Sequence, residues 1–198
     1  MPDNFCKPLE TRESAVKYPY EWAPFIEALK EVENAGKTGY DTHTKTWMPH
    51  QSPEGGLPTL GYGHKLKQRD IDNGDLVITG ARYPIWGLPD DIVTTLLIED
   101  VKKSYATAMG EWNVLSVSPS TLLDLKYRSV LAAIVFNAGT LRNSKGTLGW
   151  PKLFEAIKKQ DDAEVREQML TSYTMPNGIK VKLTKRRDIL ADAIGLKE

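Results

Sequence analysis

A chain of 198 residues is long enough to bury a sizeable core, and its single cysteine, Cys6, excludes an internal disulfide. Its 26 basic and 26 acidic residues leave no formal net charge, which excludes a global field for recruiting an acidic polymer and argues against nucleic acid as a partner. The composition, 40% hydrophobic and 26% charged, is that of a globular protein, and no apolar run approaches the roughly 18 residues that a membrane span needs.

Residues 1–18 are polar, without clean periodicity, and read as an N-terminal extension. This stretch has no apolar core of a secretory signal. Cys6 lies in it without histidine or asparagine context and reads as a bystander, not a nucleophile. From Pro19 the pattern is helical: Trp22, Ile26, Leu29 and Val32 recur on one face beside Phe25, and Gly36 stands where a left-handed cap would end the helix. Between Thr38 and Leu88 the texture changes to Gly, Pro, Thr and aromatics. The segments KTGYD and LPTLGYGH read as short strands, with turn signals at SPEGG and DNGD.

A long helix follows in LPDDIVTTLLIEDVKKSYATAMGEW, entered through Pro and two aspartates, with Ile92, Leu96, Leu97, Val101, Tyr105 and Met109 along its apolar face. SPSTLLDLKYRSVLAAIVFNAGTL predicts a buried helix with Ser and Pro at its entry. WPKLFEAIKKQ, DAEVREQMLTSY and LTKRRDILADAIG predict three shorter helices. There are no repeats or low-complexity tracts. The expected fold is α+β: a helix with a small antiparallel-sheet lobe over 19–88, then a connecting helix and helical lobe over 89–198. A cleft is expected where the two meet, within one catalytic domain.

The residues that carry chemistry form an ordered set: Glu33 near a helix end, Tyr40-Asp41, then Thr59 in the run Thr59-Leu60-Gly61-Tyr62-Gly63-His64. Cleavage of a glycosidic bond asks for a carboxylic acid that keeps its proton near neutral pH, with a second group for the opposite face. Glu33 follows Ile26 by seven and Leu29 by four, so it lies on the apolar face in the last helical turn. Desolvation and the helix dipole both favour its protonated form there. The alternate glycines of the second motif allow close approach by another backbone or a ligand.

These motifs resemble the phage-type lysozymes, the endolysin family that includes the T-even phage lysozyme. Members carry a helix-borne glutamate, a Tyr-Asp or Tyr-x-Asp step, then Thr-Ile-Gly-x-Gly-His. In this chain Glu33, Tyr40-Asp41 and TLGYGH from Thr59 to His64 match. The likeness extends to the long helix, to the Phe-Asn-x-Gly ending at Phe136-Asn137, and to KLTKRRDIL, from about Trp22 to the carboxyl end. It implies a lysozyme-like fold and an inverting muramidase, a peptidoglycan hydrolase that cuts between N-acetylmuramic acid and N-acetylglucosamine. Glu33 would be the general acid, with Asp41 and Thr59 placing the attacking water. Tyr62, Gly63, Phe136 and Asn137 would touch the sugar. His64, Asp100 and Arg186 would be structural, with a His64–Asp100 contact tying the sheet to the long helix.

Two features depart from the family pattern. The step from Glu33 to Asp41 is one residue short, and THTKTWMPHQSPEGGL replaces a tight turn. The insertion is expected to bulge outward, and its Glu54 is an alternative second carboxylate read more simply as a turn residue. Asp41, His43, His50 and Glu54 match no zinc spacing and read as exposed loop residues, so neither a metal nor a cofactor is expected. The basic group Lys180, Lys182, Lys185, Arg186 and Arg187 reads equally as a solvated face or a substrate-facing patch.

The expected partner is the glycan strand of peptidoglycan, met by a monomer without a membrane span. Without a signal sequence, synthesis in the host cytoplasm and action at the periplasmic wall require a holin-type pore or delivery in a virion. The rival readings are a lytic transglycosylase, a wall-binding or virion protein of the same fold, and a metal-dependent peptidase or amidase using His43 and His50.

Overall fold

The computed structural model describes residues 22–52, 56–116, 123–170, 172–174 and 180–197. Cys6, Glu54, the polar extension and the Ser-Pro entry to the buried helix lie outside that set. Among the described residues the fold is mixed α+β, with seven helices and several small antiparallel sheets.

Helix α1 (Ala23–Asn34) starts with Pro24 in its first turn, where a missing N–H costs nothing, and buries Phe25, Ile26, Ala28 and Leu29. Its end differs from the sequence expectation. Gly36 is not left-handed; Lys37 takes the positive φ of 48° instead. The Asn34 side chain closes the turn, its Oδ1 accepting from the Thr38 N–H at 2.8 Å. An asparagine there satisfies backbone groups that a glycine cap cannot reach.

The sheet-forming segment opens with β1 (Tyr40–Asp41) and β2 (Thr46–Trp47). After β3 (Thr59–Leu60), β4 (His64–Lys65) and α2 (Gln68–Asn73) come the strands β5 (Asp75–Ile78), β6 (Ala81–Pro84) and β7 (Leu88–Pro89). Strand β2 is central, pairing Trp47 with Tyr40 on one side and with Leu88 on the other. The insertion therefore does not bulge outward. It supplies its own strand, and Trp47 is fully buried between Tyr40 and Tyr62, with ring centroids 5.1 and 5.0 Å away. Burying an indole outweighs any preference of a polar loop for solvent. The DNGD signal is not a hairpin turn but the end of α2, with Gly74 at φ 69° as left-handed cap. Thr79 and Gly80, both at positive φ, make the two-residue turn between β5 and β6.

Helix α3 (Asp90–Leu115) runs for 26 residues, roughly 39 Å at 1.5 Å per residue. It touches β2, β4, β5 and β7, and it packs along α4 (Leu125–Ala138). Asp90 anchors the junction, accepting from Trp47 Nε1 at 2.7 Å and from the Tyr62 hydroxyl at 3.0 Å. Helix α4 is buried through Val130–Val135 without an exposed stripe, so it is the central core helix.

Helices α5 (Pro151–Lys159) and α6 (Asp162–Gln168) pack together, and α7 (Thr184–Ile194) lies against α1, α4 and α6. The helix expected over DAEVREQMLTSY stops at Gln168. Its last residues form β8 (Ser172–Thr174), which pairs with β9 (Lys180–Lys182) in a hairpin that sequence periodicity did not indicate.

Candidate functional site

A cleft of about 810 Å³ is lined by the end of α1, the β3–β4 turn, the middle of α3, the end of α4, and the His50–Ser52 segment. Glu33 projects into it from the last turn of α1, on the rim of the apolar face that Phe25, Ile26 and Leu29 bury. The carboxylate accepts a short hydrogen bond from Arg186 of α7, with Glu33 18% and Arg186 11% exposed in their side chains. That ion pair ties the first and last helices together across the site.

The β3–β4 turn brings a backbone up to Glu33. Gly61 and Gly63 are not in a strand, as the spacing suggested, but in the turn, with φ of 62° and 92°. A Cβ on Gly63 would sit 3.7 Å from Glu33 Oε2, so a side chain larger than methyl would crowd the carboxylate. The Gly61 carbonyl accepts from Asn34 Nδ2 at 2.8 Å, locking the turn to the end of α1. Thr59 enters the same cleft at 5% exposure, and its Oγ1 lies 3.1 Å from His50 Nε2.

Of the residues singled out in the sequence, Glu33, Thr59, Gly63, His64, Asp100, Phe136 and Asn137 share this cleft. Two do not. The Asp41 carboxylate accepts from the His43 and Thr44 N–H groups at 2.8 and 3.3 Å, which closes the β1–β2 turn, and it does not line the cleft. Those hydrogen bonds hold its pKa below the ordinary value for aspartate. Tyr62, expected at the sugar, is 6% exposed with its hydroxyl on Asp90. Burial first, then that carboxylate, pushes its pKa up, as suits a core phenol. Gly61 and Gly63 line the cleft, while the Tyr62 side chain between them packs into the core.

His64 and Asp100 meet at the cleft wall, Nδ1 to Oδ2 at 2.5 Å, with Lys103 Nζ 3.0 Å from Oδ1. Burial alone raises the Asp100 pKa, but the bonds and charges of His64 and Lys103 outweigh it and leave it lowered. A carboxylate with a depressed pKa stabilises the fold above its unfolded value, and that stability is lost as pH falls through the folded value. Asp100→Asn is expected to cost about 2 kcal/mol at neutral pH. The gap from wild type should narrow once the pH drops below about 4. Thermal melts of both proteins from pH 7 to 3 check this, and a constant gap would remove the pair from the stability account.

Sequence reasoning placed His50 among exposed loop residues, whereas it is half-buried, bridges to Thr59 through both backbone hydrogen bonds at 2.9 Å, and lines the cleft. Only the pairing of β-structure across the insertion brings it there, and no periodic signal marked it. The basic segment is partly consumed by ion pairs: Arg186 with Glu33, and Arg187 with Glu167 at 2.5 Å and Asp188 at 2.9 Å. Among the described residues no three His, Cys, Asp or Glu side chains converge in a way that could hold a metal ion. No helix among them is long and apolar enough to cross a membrane.

No family model, curated protein or solved structure matches the chain.

Proposed function

We propose that the protein is a muramidase of lysozyme-like fold that cleaves the glycan strands of peptidoglycan. In this reading α3 joins a sheet lobe to a helical lobe, and the substrate lies in the cleft between them. One observation carries the proposal: Glu33 of α1, Thr59 and Gly63 of the β3–β4 hairpin, and Phe136 and Asn137 of α4 line a single open cleft of about 810 Å³. Such a volume suits a few sugar rings. Glu33 is the general acid toward the leaving glycosidic oxygen, Thr59 offers a hydroxyl to water, and the Phe136–Asn137 step offers an apolar face beside an amide for a sugar ring.

The test is mass spectrometry of purified peptidoglycan digested with the protein. Muropeptides with reducing-end muramic acid are the expected products, and an undigested glycan would end the proposal.

A second reading is favoured by the position of Asp41 outside the cleft. A lytic transglycosylase needs only one acid/base carboxylate and leaves an anhydromuramic end, which the same spectra detect. In either reaction Asp41→Asn is expected to keep turnover within about threefold of wild type, because the group it removes closes a surface turn. Measured rates on peptidoglycan check this, and a loss of a hundredfold would put Asp41 back at the chemistry.

A further inference from the structure

Resting on the glycan-cleaving reading, the arrangement around His50 assigns a further part of the site. The imidazole is held on three sides. Its backbone pairs with Thr59, its Nε2 is 3.1 Å from Thr59 Oγ1, and its ring lies against Gly39. A Cβ at Gly39 would sit 2.6 Å from His50 Nδ1 and 2.5 Å from the Met48 carbonyl, so only glycine, here at φ 84°, lets the ring pack this closely.

That packing selects the tautomer. His50 Nδ1 is buried with no hydrogen-bond partner among the described residues. A proton there would be a buried donor without an acceptor, the more costly of the two arrangements. The proton therefore belongs on Nε2, which donates to Thr59 Oγ1. A threonine hydroxyl that accepts from a fixed N–H has its rotor restricted, leaving its own proton and one lone pair for a second partner.

We propose that His50 is a positioning residue of the cleft, holding the Thr59 hydroxyl so that its proton and free lone pair serve the water or sugar oxygen bound beside it. Glu33 lines the same cleft, so the acid and the oriented hydroxyl act on one bound substrate. His50 thereby supports a role that the sequence alone assigned jointly to Asp41 and Thr59.

The experiment compares wild type, Glu33→Gln, His50→Phe, His50→Gln, Thr59→Val and the His50→Phe/Thr59→Val double variant on purified peptidoglycan, with folding checked by thermal melts. His50→Phe keeps a planar ring but no donor, and should lower kcat about 10–100-fold with KM within about threefold. His50→Gln, which restores an N–H donor, should recover part of the loss. Because His50 acts through Thr59, the double variant should be no slower than Thr59→Val. Nitrogen NMR of 15N-histidine-labelled wild type should show Nε2 protonated and Nδ1 bare, with the Nε2 resonance moving in Thr59→Val.

A folded His50→Phe protein with wild-type kcat, additive losses in the double variant, or a proton on Nδ1 would each overturn the assignment. If wild type is active and Glu33→Gln is not, such a result leaves the glycan-cleaving reading standing. If wild type releases no muropeptides, that reading falls and the catalytic role of His50 falls with it.

Discussion

Glu33→Gln is expected to lower peptidoglycan turnover by about 10²–10⁴-fold, the range over which general acids contribute, while leaving the fold intact. The amide matches the carboxyl in shape and still accepts from Arg186, so the bond between α1 and α7 is weakened and not deleted. The lost charge should cost about 1 kcal/mol, or roughly 2–4 °C in Tm for a chain of this size. Gln cannot deliver a proton to a leaving oxygen. Initial rates and melting curves on the same preparation check both halves. A folded Glu33→Gln protein that lyses walls at near-native rate would end the assignment of Glu33 as the acid.

Gly61→Ala is expected to be the most disruptive single methyl in the site. The added Cβ would lie 2.1 Å from Val93 Cγ1 on α3, far inside contact distance. Its backbone sits at φ 62°, a left-handed conformation that costs an L-residue about 1–2 kcal/mol. Overpacking adds about 1–3 kcal/mol, so a loss of about 3 kcal/mol and a Tm lower by roughly 6–12 °C are expected. The turn also carries the Asn34–Gly61 bond and the Gly63 contact with Glu33, so activity should fall with stability. Combining Gly61→Ala with Val93→Ala should recover the overpacking part, and the double variant should melt above the sum of the two single losses. An unchanged Tm in Gly61→Ala would show that the turn does not press on α3.

How much of the site could be read from the sequence depends on how local its causes are. Glu33 was legible because seven- and four-residue steps from Ile26 and Leu29 put it on the apolar edge of α1, and helical periodicity is local physics. The long helix was legible for the same reason, from Pro89 and two aspartates at its start and a repeating apolar face. The His64–Asp100 contact is implied by the family resemblance, and the folded chain holds it at 2.5 Å. Asp41 was misplaced because a strand of two residues carries too little alternation to define which side faces inward, and Tyr62 because it lies in the turn between β3 and β4, where strand alternation does not hold.

By itself, then, the sequence determined the mixed α+β composition of the chain, the helices α1, α3, α4, α5 and α7, and the glutamate at the end of α1. Each follows from spacing within one segment, where 3.6-residue periodicity, prolines at helix starts and a glycine after the last turn act over a few residues. The tertiary structure alone decided that the insertion enters the core through Trp47, that Asp41 closes a turn outside the cleft, and that His50 reaches Thr59. It also decided that Arg186, distant in sequence, is the partner of Glu33. These depend on which strands pair and which helices touch, and burying an indole or pairing a charge across the fold outweighs the weak local preferences of a Gly- and Pro-rich segment.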